Sequence, residues 1–560
     1  MRNFARSSFL GALVLSSSLI ACSDTPYDDS GPAIDPNAPR VHITSPARGT
    51  FAGEVGTIEV TGTTLDDVGV TSVVVNGVTA TVDVDGSFKA TVPVVAGTNL
   101  LHAIAKDAQG NTGKETRAVV AGPMKSLDRS IPTAITATMS AQTFDAIGRG
   151  ASTLMTTADL TALITPINPV VDMGTVNGVP DCLYGQASVT NVDIGSTSSV
   201  KLTPQSGGLF LDATLDNVRV DMHLQWAVAC VDGSREVSAT ASRIRVRGLL
   251  GVGLDFFGSI EFELQNPDAT LTNFNVDLGG VPQTIIDLLD LDTRMGPVIA
   301  WATERFVTPM LNDSLAGLNE TKTMDVLGKP VDVTVFPTRV EFDVTGALIE
   351  LDSEIRGQGD TGEFVYVANT VPSMDMSQGF QLAVADDAAN QMLTSFWSVK
   401  GMEMGIDLKT GPYGEVGKLY DRVELSAKVP PYVDASGGGL KLTIGDLIAT
   451  FKNGEGVATQ VSINAHLDIN VTADPATGAL RLDVGTPTAF VDILDENIDG
   501  ANSLSNAQFE AITSFALSRV VSLGSGAVGA IPLPAAGGVS VKNVSVVEQT
   551  GYLVVDGEIQ

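Results

Sequence analysis

The sequence predicts a β-rich α+β chain, with an N-terminal β-sandwich followed by one mixed unit used twice. Three observations predict it. Most of the 560 residues alternate apolar and polar side chains with period 2, as half-buried strands do. Four stretches break that alternation with a helical period, and they fall at matching places. One phrase occurs twice: TGALIELDSEI, Thr345 to Ile355, returns as TGYLVVDGEIQ, Thr550 to Gln560.

Residues 1–21 read as a lipoprotein signal peptide. Arg2 and Arg6 supply the positive flank, and SFLGALVLSSSLIA is an apolar run too short to span a bilayer. Leu19-Ile20-Ala21-Cys22 resembles a bacterial lipobox, in which the Cys becomes fatty-acylated and N-terminal after cleavage. Cys22 is therefore the expected lipid anchor, with palmitate among its acyl groups. Ser23 rather than Asp follows it, which points to the outer membrane, facing either the periplasm or the surface. Residues 22–39, rich in Pro, Asp and Gly without periodicity, read as a flexible tether.

Residues 40–122 alternate β runs with turns. Asn76-Gly77 and Asp85-Gly86 are hairpin pairs, and strands at this spacing make a sandwich. The segments Asp66-Asp67 before Gly69-Val70, Val75-Asn76-Gly77, Asp85-Gly86-Ser87-Phe88 and Asp107-Ala108-Gln109-Gly110-Asn111 resemble bacterial immunoglobulin-like (Ig-like) domains. Modules of that kind usually act as spacers or stalks.

The rest of the chain carries the four helical stretches. Ser140 to Leu160 puts Phe144, Ile147, Ala151 and Leu154 on one face. Met295 to Leu315 carries Val298, Trp301, Ala302 and Phe306. Ala385 to Met404 carries Ala389, Met392, Leu393 and Phe396. Ser505 to Leu523 carries Phe509, Ile512, Phe515 and Ala516. After Met124 the order is helix, strands, helix, repeated phrase, and then the same again. The leading helices align without gaps, Val384-Ala385 upon Met139-Ser140. One fold unit is used twice.

This layout, from Met124 to Gln560, resembles the tubular lipid-binding (TULIP) superfamily. The branch is that of bactericidal/permeability-increasing protein, lipopolysaccharide-binding protein and cholesteryl ester transfer protein. The most specific stretch is GFQLAVADDAANQMLTSFW, Gly379 to Trp397, which looks like the opening of that family's second barrel. Ile531-Pro532-Leu533-Pro534 with Val539 to Asn543, and Val192 to Pro204 with Gly208 to Leu211, resemble its ending and its early strands. The resemblance implies a pseudo-symmetric boomerang. Two twisted antiparallel β-barrels, each wrapped on long helices, would be joined by a central sheet. Residues 123–330 would form the first lipid-binding barrel and 331–356 the central-sheet linker. Residues 357–540 would form the second barrel and 541–560 the closing central-sheet strands. The helix residues just named, from Phe144 to Ala516, would line apolar pockets. Each could equally fill a core against its sheet.

The expected function is non-catalytic lipid binding, with transfer or sensing as extensions. The ligand is a bound phospholipid or other acyl lipid, with no cofactor. The alternative is a surface structural or adhesion lipoprotein using the Ig-like domain, its barrels filled. Acidic residues outnumber basic ones 65 to 33, and the formal charge of −32 argues against a nucleic-acid partner. It also departs from the basic, lipopolysaccharide-gripping tip of the bactericidal relative. Cys182 and Cys230 remain beside Cys22, an even pair expected as a disulfide, with two buried thiols as the alternative. His42, His102, His223 and His466 show no zinc spacing, no Cys partner and no nucleophile-elbow setting, and read as ordinary strand residues. Asp495, Asn497 and Asp499 match the start of a calcium loop, but Asn506 stands where a bidentate Glu is required, so a turn is expected.

Overall fold

The computed structural model describes residues 38–157, 159–176, 179–256, 258–289, 321–326, 328–410, 416–436, 439–473, 480–496, 504–510, 513 and 541–559. Cys22, Val298, Trp301, Phe306, Ile512 and Ala516 lie outside them, as do Asn497, Asp499 and the side chain of Leu154. No described helix is long and apolar enough to cross a membrane, which leaves β-barrel crossing untouched.

The described chain is β-rich and divides among several sheets. The N-terminal sandwich has two. One orders Arg40–Ser45, Gly56–Leu65, Ser87–Val94 and Thr81–Val82. The other orders Thr50–Gly53, Thr112–Ala121, Gly97–Asp107, Val70–Val75 and Val78–Thr79. Phe88, Ala90, Val92 and Val94 point into the shared core while Lys89 and Thr91 point out, as period 2 requires. Asn76 and Gly77 take φ of 47° and 81°, the paired left-handed turn that the sequence predicts. Thr112–Ala121 breaks the alternation: from Glu115 onward every residue is buried. Its outer face is covered by another part of the chain.

A seven-stranded central sheet joins the two units. Its order is Lys322–Val326, Lys329–Phe342, Gly346–Gly357, Ile131–Ser140, Phe380–Ala385, Tyr552–Ile559 and Val541–Gln549. The two middle strands open the two units. They run antiparallel from Ile135 opposite Val384 to Met139 opposite Phe380. The repeated phrases flank them, Met139 facing Ala347 and Ala385 facing Tyr552. The likeness of TGALIELDSEI and TGYLVVDGEI is thus a likeness of place.

Each unit adds a seven-stranded antiparallel sheet of its own. The first is built on Gly208–Val228 and Val231–Leu254, the second on Leu440–Asn453 and Gly456–Ala473. In the first, the inward parity changes at Asn217, whose φ is 49°. Leu209, Leu211 and Leu250 pack in one core; Met222, Leu224, Trp226 and Val237 pack in the next. A disulfide joins Cys182 to Cys230, the partner at the turn between the two long strands.

Four described helices position the functional surfaces: α1 (Ala141–Thr157), α2 (Leu160–Ile164), α3 (Gln283–Leu289) and α4 (Asp386–Ser398). Helices α1 and α4 each start one residue past the pair that the sequence aligns. Helix α1 lies against Ser199–Gln205 so closely that a Cβ on Gly148 would come within 2.9 Å of the Val200 carbonyl oxygen. Gly148→Ala therefore sets a helix-propensity gain of about 1 kcal/mol against a backbone clash costing about 1–3 kcal/mol. The clash wins because its partner is backbone. Urea unfolding of Gly148→Ala is expected to show a net loss of about 1 kcal/mol.

Candidate functional site

Helix α4 has two faces, and the polar one is the more buried. The sequence reading puts Ala389, Met392, Leu393 and Phe396 on one apolar face, either lining a lipid pocket or filling a core. In the structure the buried residues of the helix are Asp387, Asn390, Gln391, Thr394, Ser395 and Phe396, and all but Phe396 are polar. Each polar atom hidden there needs a partner, and these residues find theirs on backbone. The Ile355 N–H donates to Gln391 Oε1 (2.8 Å), and Gln391 Nε2 donates to the carbonyls of Arg129 (2.9 Å) and Leu127 (3.3 Å). Ser395 Oγ donates to the Ile355 carbonyl (2.8 Å). Asn390 exchanges two bonds with Val433, at 2.8 and 2.7 Å. Trp397 Nε1 donates to the Ala427 carbonyl (2.8 Å).

The opposite face is apolar and only partly covered. Ala389 is exposed, and Met392 and Leu393 are half-buried. Phe396 alone is buried there, against Gly401. A surface helix ordinarily hides its apolar stripe; α4 hides its polar one.

Helix α1 is conventional. Phe144 is buried with Leu209, Leu211, Leu250 and Leu264, and Ile147 packs on the same cluster. Ala151 is half-buried. Thr143 Oγ1 donates to the Gly379 carbonyl (2.7 Å), tying the start of α1 to the second unit. Phe509 sits in the second unit's core beside Tyr420 and Phe451. The described residues thus place Phe144 with Ile147 in a packed core, and Met392 with Leu393 on a separate face of α4. A cavity of about 420 Å³ lies elsewhere, among Asp434, Leu440, Lys441, Asp468 and Asn470. Its walls carry too many charges to suit an acyl chain.

The first turn of α4 holds two carboxylates. Asp386 accepts from the Ala435 N–H (3.0 Å) and Asp387 from the Val367 N–H (3.1 Å). Burial pushes Asp386 up to about 6 and Asp387 up to about 7, against those hydrogen bonds. Burial likewise raises Tyr432 beside them, and it lowers Lys125, whose ammonium sits over the Tyr366 ring at 4.1 Å.

The sandwich is not held off as a spacer. Its Thr112–Ala121 strand packs on the second unit, with Leu100, Ala118 and Val120 against Val365 and Val429. Two glycines permit the approach. A Cβ on Gly445 would stand 2.4 Å from Ala118 Cβ, and one on Gly97 would meet the Tyr432 ring. At the centre Arg48 donates to Asp446 (2.5 Å), Ser462 (3.0 Å) and Glu115 (2.9 Å). The Thr116 N–H donates to Asp492 (2.9 Å) and the Ala118 N–H to Asp446 (3.0 Å). Asp446 reaches them from a bulge, at φ 40°, beside Gly445. His102 is an interface residue too: its ring lies 4.6 Å from that of Phe490, and burial lowers its pKa.

Sequence reasoning missed this interface. The signal it offers is single charges inside apolar runs, Asp446 in LTIGDLIATF and Asp492 in TAFVDIL. His223 and His466 are strand residues as expected, paired with Glu236 (2.6 Å) and Thr443 (3.1 Å).

A family model described as Glucodextranase, domain B matches residues 39–122, the whole sandwich, and supports its Ig-like character. No curated protein sequence matches the chain. Among solved structures, the chain is similar to a lipopolysaccharide binding protein at 13% identity. That match covers 77% of this chain and 99% of the other, with a TM-score of 0.39. It is similar to P47 of Clostridium botulinum E1 at 9% identity, covering 77% and 100%, with a TM-score of 0.23. A solution structure of latherin matches at 17% identity, covering 34% and 88%, with a TM-score of 0.16.

Two substitutions test the packing described. Gln391→Leu strands one N–H and two carbonyls, and is expected to lower stability by about 2–4 kcal/mol in denaturant unfolding. Gly445→Val forces the sandwich off its seat. Limited proteolysis is expected to cut near residue 123 faster than in the wild type, releasing an intact sandwich.

Proposed function

We propose that this chain is a non-catalytic lipid-binding protein. Acyl tails lie against the partly covered apolar face of α4, at Ala389, Met392 and Leu393, while the head group stays in solvent. The observation that supports this most directly is the inverted burial of α4. A helix that pins its polar face to surrounding backbone by six side-chain bonds from Asn390, Gln391 and Ser395 keeps its apolar face for another occupant. Each tail CH₂ taken from water contributes about 0.8 kcal/mol, so a tail binds without a charged partner.

The finer architecture belongs to the same proposal. Two barrels in a boomerang would flank the central sheet, as the sequence resemblance implies. Val298, Trp301, Phe306, Ile512 and Ala516 would complete the two pockets. Cys22 would anchor the chain to the outer membrane.

The test is native mass spectrometry of the purified mature protein, paired with uptake of a fluorescent phospholipid. Copurifying acyl lipid is expected. Met392→Asp with Leu393→Asp is expected to cut uptake about tenfold or more, because a carboxylate facing a tail costs over 1.4 kcal/mol. Its thermal midpoint should stay near the wild-type value. No copurifying lipid and no uptake would overturn the reading and leave the surface structural role.

A further inference from the structure

The interface between sandwich and second unit is short of one positive charge. Three carboxylates, Glu115, Asp446 and Asp492, are buried there. The sandwich supplies two guanidiniums, Arg48 and Arg117, that reach them. Glu115 takes the Ile43 N–H (2.6 Å), Arg48 (2.9 Å) and Arg117 (3.1 Å), with His42 at its exposed edge (3.2 Å). Asp446 takes Arg48, the Ala118 N–H and Ser462 Oγ (2.9 Å). Asp492 takes the Thr116 N–H, with Arg48 distant at 3.5 Å. It is the carboxylate with least support. The next charged pair, Lys114 with Glu510 (3.0 Å), is a rim contact already neutral in itself.

We propose that the sandwich is a proton-loaded clasp: it docks on the second unit with a hydrogen held at Asp492, and it loosens when that hydrogen leaves. A neutral Asp492 balances the cluster at two negative and two positive groups. An ionised one buries an excess negative charge, which low polarity penalises. The sandwich can open as a body because its own core contains only sandwich residues.

The sign follows from linkage. Undocked and solvated, Asp492 titrates in the ordinary carboxylate range. Docked, burial and the nearby Glu115 push it up to about 7. Between those values the docked form binds more protons than the undocked form. Docking is therefore favoured at acidic pH and weakens as pH rises through the window to about 7, above which the contribution is gone. Asp492 alone lowers the docking constant about tenfold from pH 6 to pH 8; His102, whose pKa is lowered by burial against Phe490, opposes it at the acidic end, so the net fall is smaller.

Hydrogen exchange on the full-length protein reads this directly, because the Thr116 and Ala118 amides are held by the second unit's carboxylates. Corrected for intrinsic rates, their exchange is expected to speed up by up to about tenfold from pH 6 to pH 8, His102→Gln giving the fuller change because it removes the opposing group. Asp492→Asn, neutral at every pH and able to accept from Thr116, should stay protected across that range. Thermal unfolding offers an independent measure: the advantage of Asp492→Asn over wild type should grow from pH 6 to pH 8. Flat exchange in the wild type, or an unchanged pH dependence in Asp492→Asn, overturns the clasp.

Discussion

Everything in this chain hangs on two short strands meeting edge to edge. Ile131–Ser140 and Phe380–Ala385 open the two units, and their ladder is the seam of the central sheet. Each carries its own unit's repeated strand on its other side. Helices α1 and α4 leave from the ends of these strands, so the seam sets where both helices start and which way they run. Thr143 then reaches across to Gly379, so the start of α1 is bonded to the strand that opens the other unit. An antiparallel ladder tolerates no one-residue slip without turning every side chain over. The two helices are therefore placed relative to each other as firmly as the seam is.

That placement explains the inverted burial of α4. The helix begins where the central sheet ends and crosses backbone from three places: Ile355 of that sheet, Leu127 and Arg129 in the turn before its strand Ile131–Ser140, and Val433 of the second unit's sheet. Apolar side chains there would strand those groups at about 1–3 kcal/mol each. Asn and Gln carry both donor and acceptor and can close both sides of a peptide. The polar face is thus demanded by the backbone that the helix crosses, and the apolar face is what remains.

The sequence made the repeat legible because repetition is a pattern of order and needs no three-dimensional context. The strand content, the sandwich and its Asn76-Gly77 turn were legible for the same reason: period and turn chemistry are local. The facing of α4 was not. Ala389, Met392, Leu393 and Phe396 form a proper apolar stripe, and periodicity says only that a stripe exists. Which side meets the protein was set by backbone groups far away in the chain. The docking of the sandwich was invisible for a similar reason. Its signals are isolated: Gly445 and Asp446 in one strand, Asp492 in another, Arg48 in a loop. None has a partner nearby in sequence, and an unpaired charge in an apolar run looks like a solvated edge until its partner is placed.

The chemistry of that docking is informative about what it is for. Permanent contacts within a chain are ordinarily made of apolar surface, which holds without regard to pH or partner. Here an apolar patch at Leu100, Ala118 and Val120 adjoins a buried ionic cluster. Replacing such a cluster with packed apolar residues is often neutral or stabilising, whereas removing one member costs several kcal/mol. Its value therefore lies in specificity and conditionality rather than in strength. Arg48 ties Glu115 of the sandwich to Asp446 of the second unit, which fixes how the sandwich is seated. The same helix that offers its apolar face places Trp397 6.5 Å from the sandwich's Phe51, ring centre to ring centre. The seat of the sandwich thus adjoins α4 as well as the strands that carry Asp446 and Asp492.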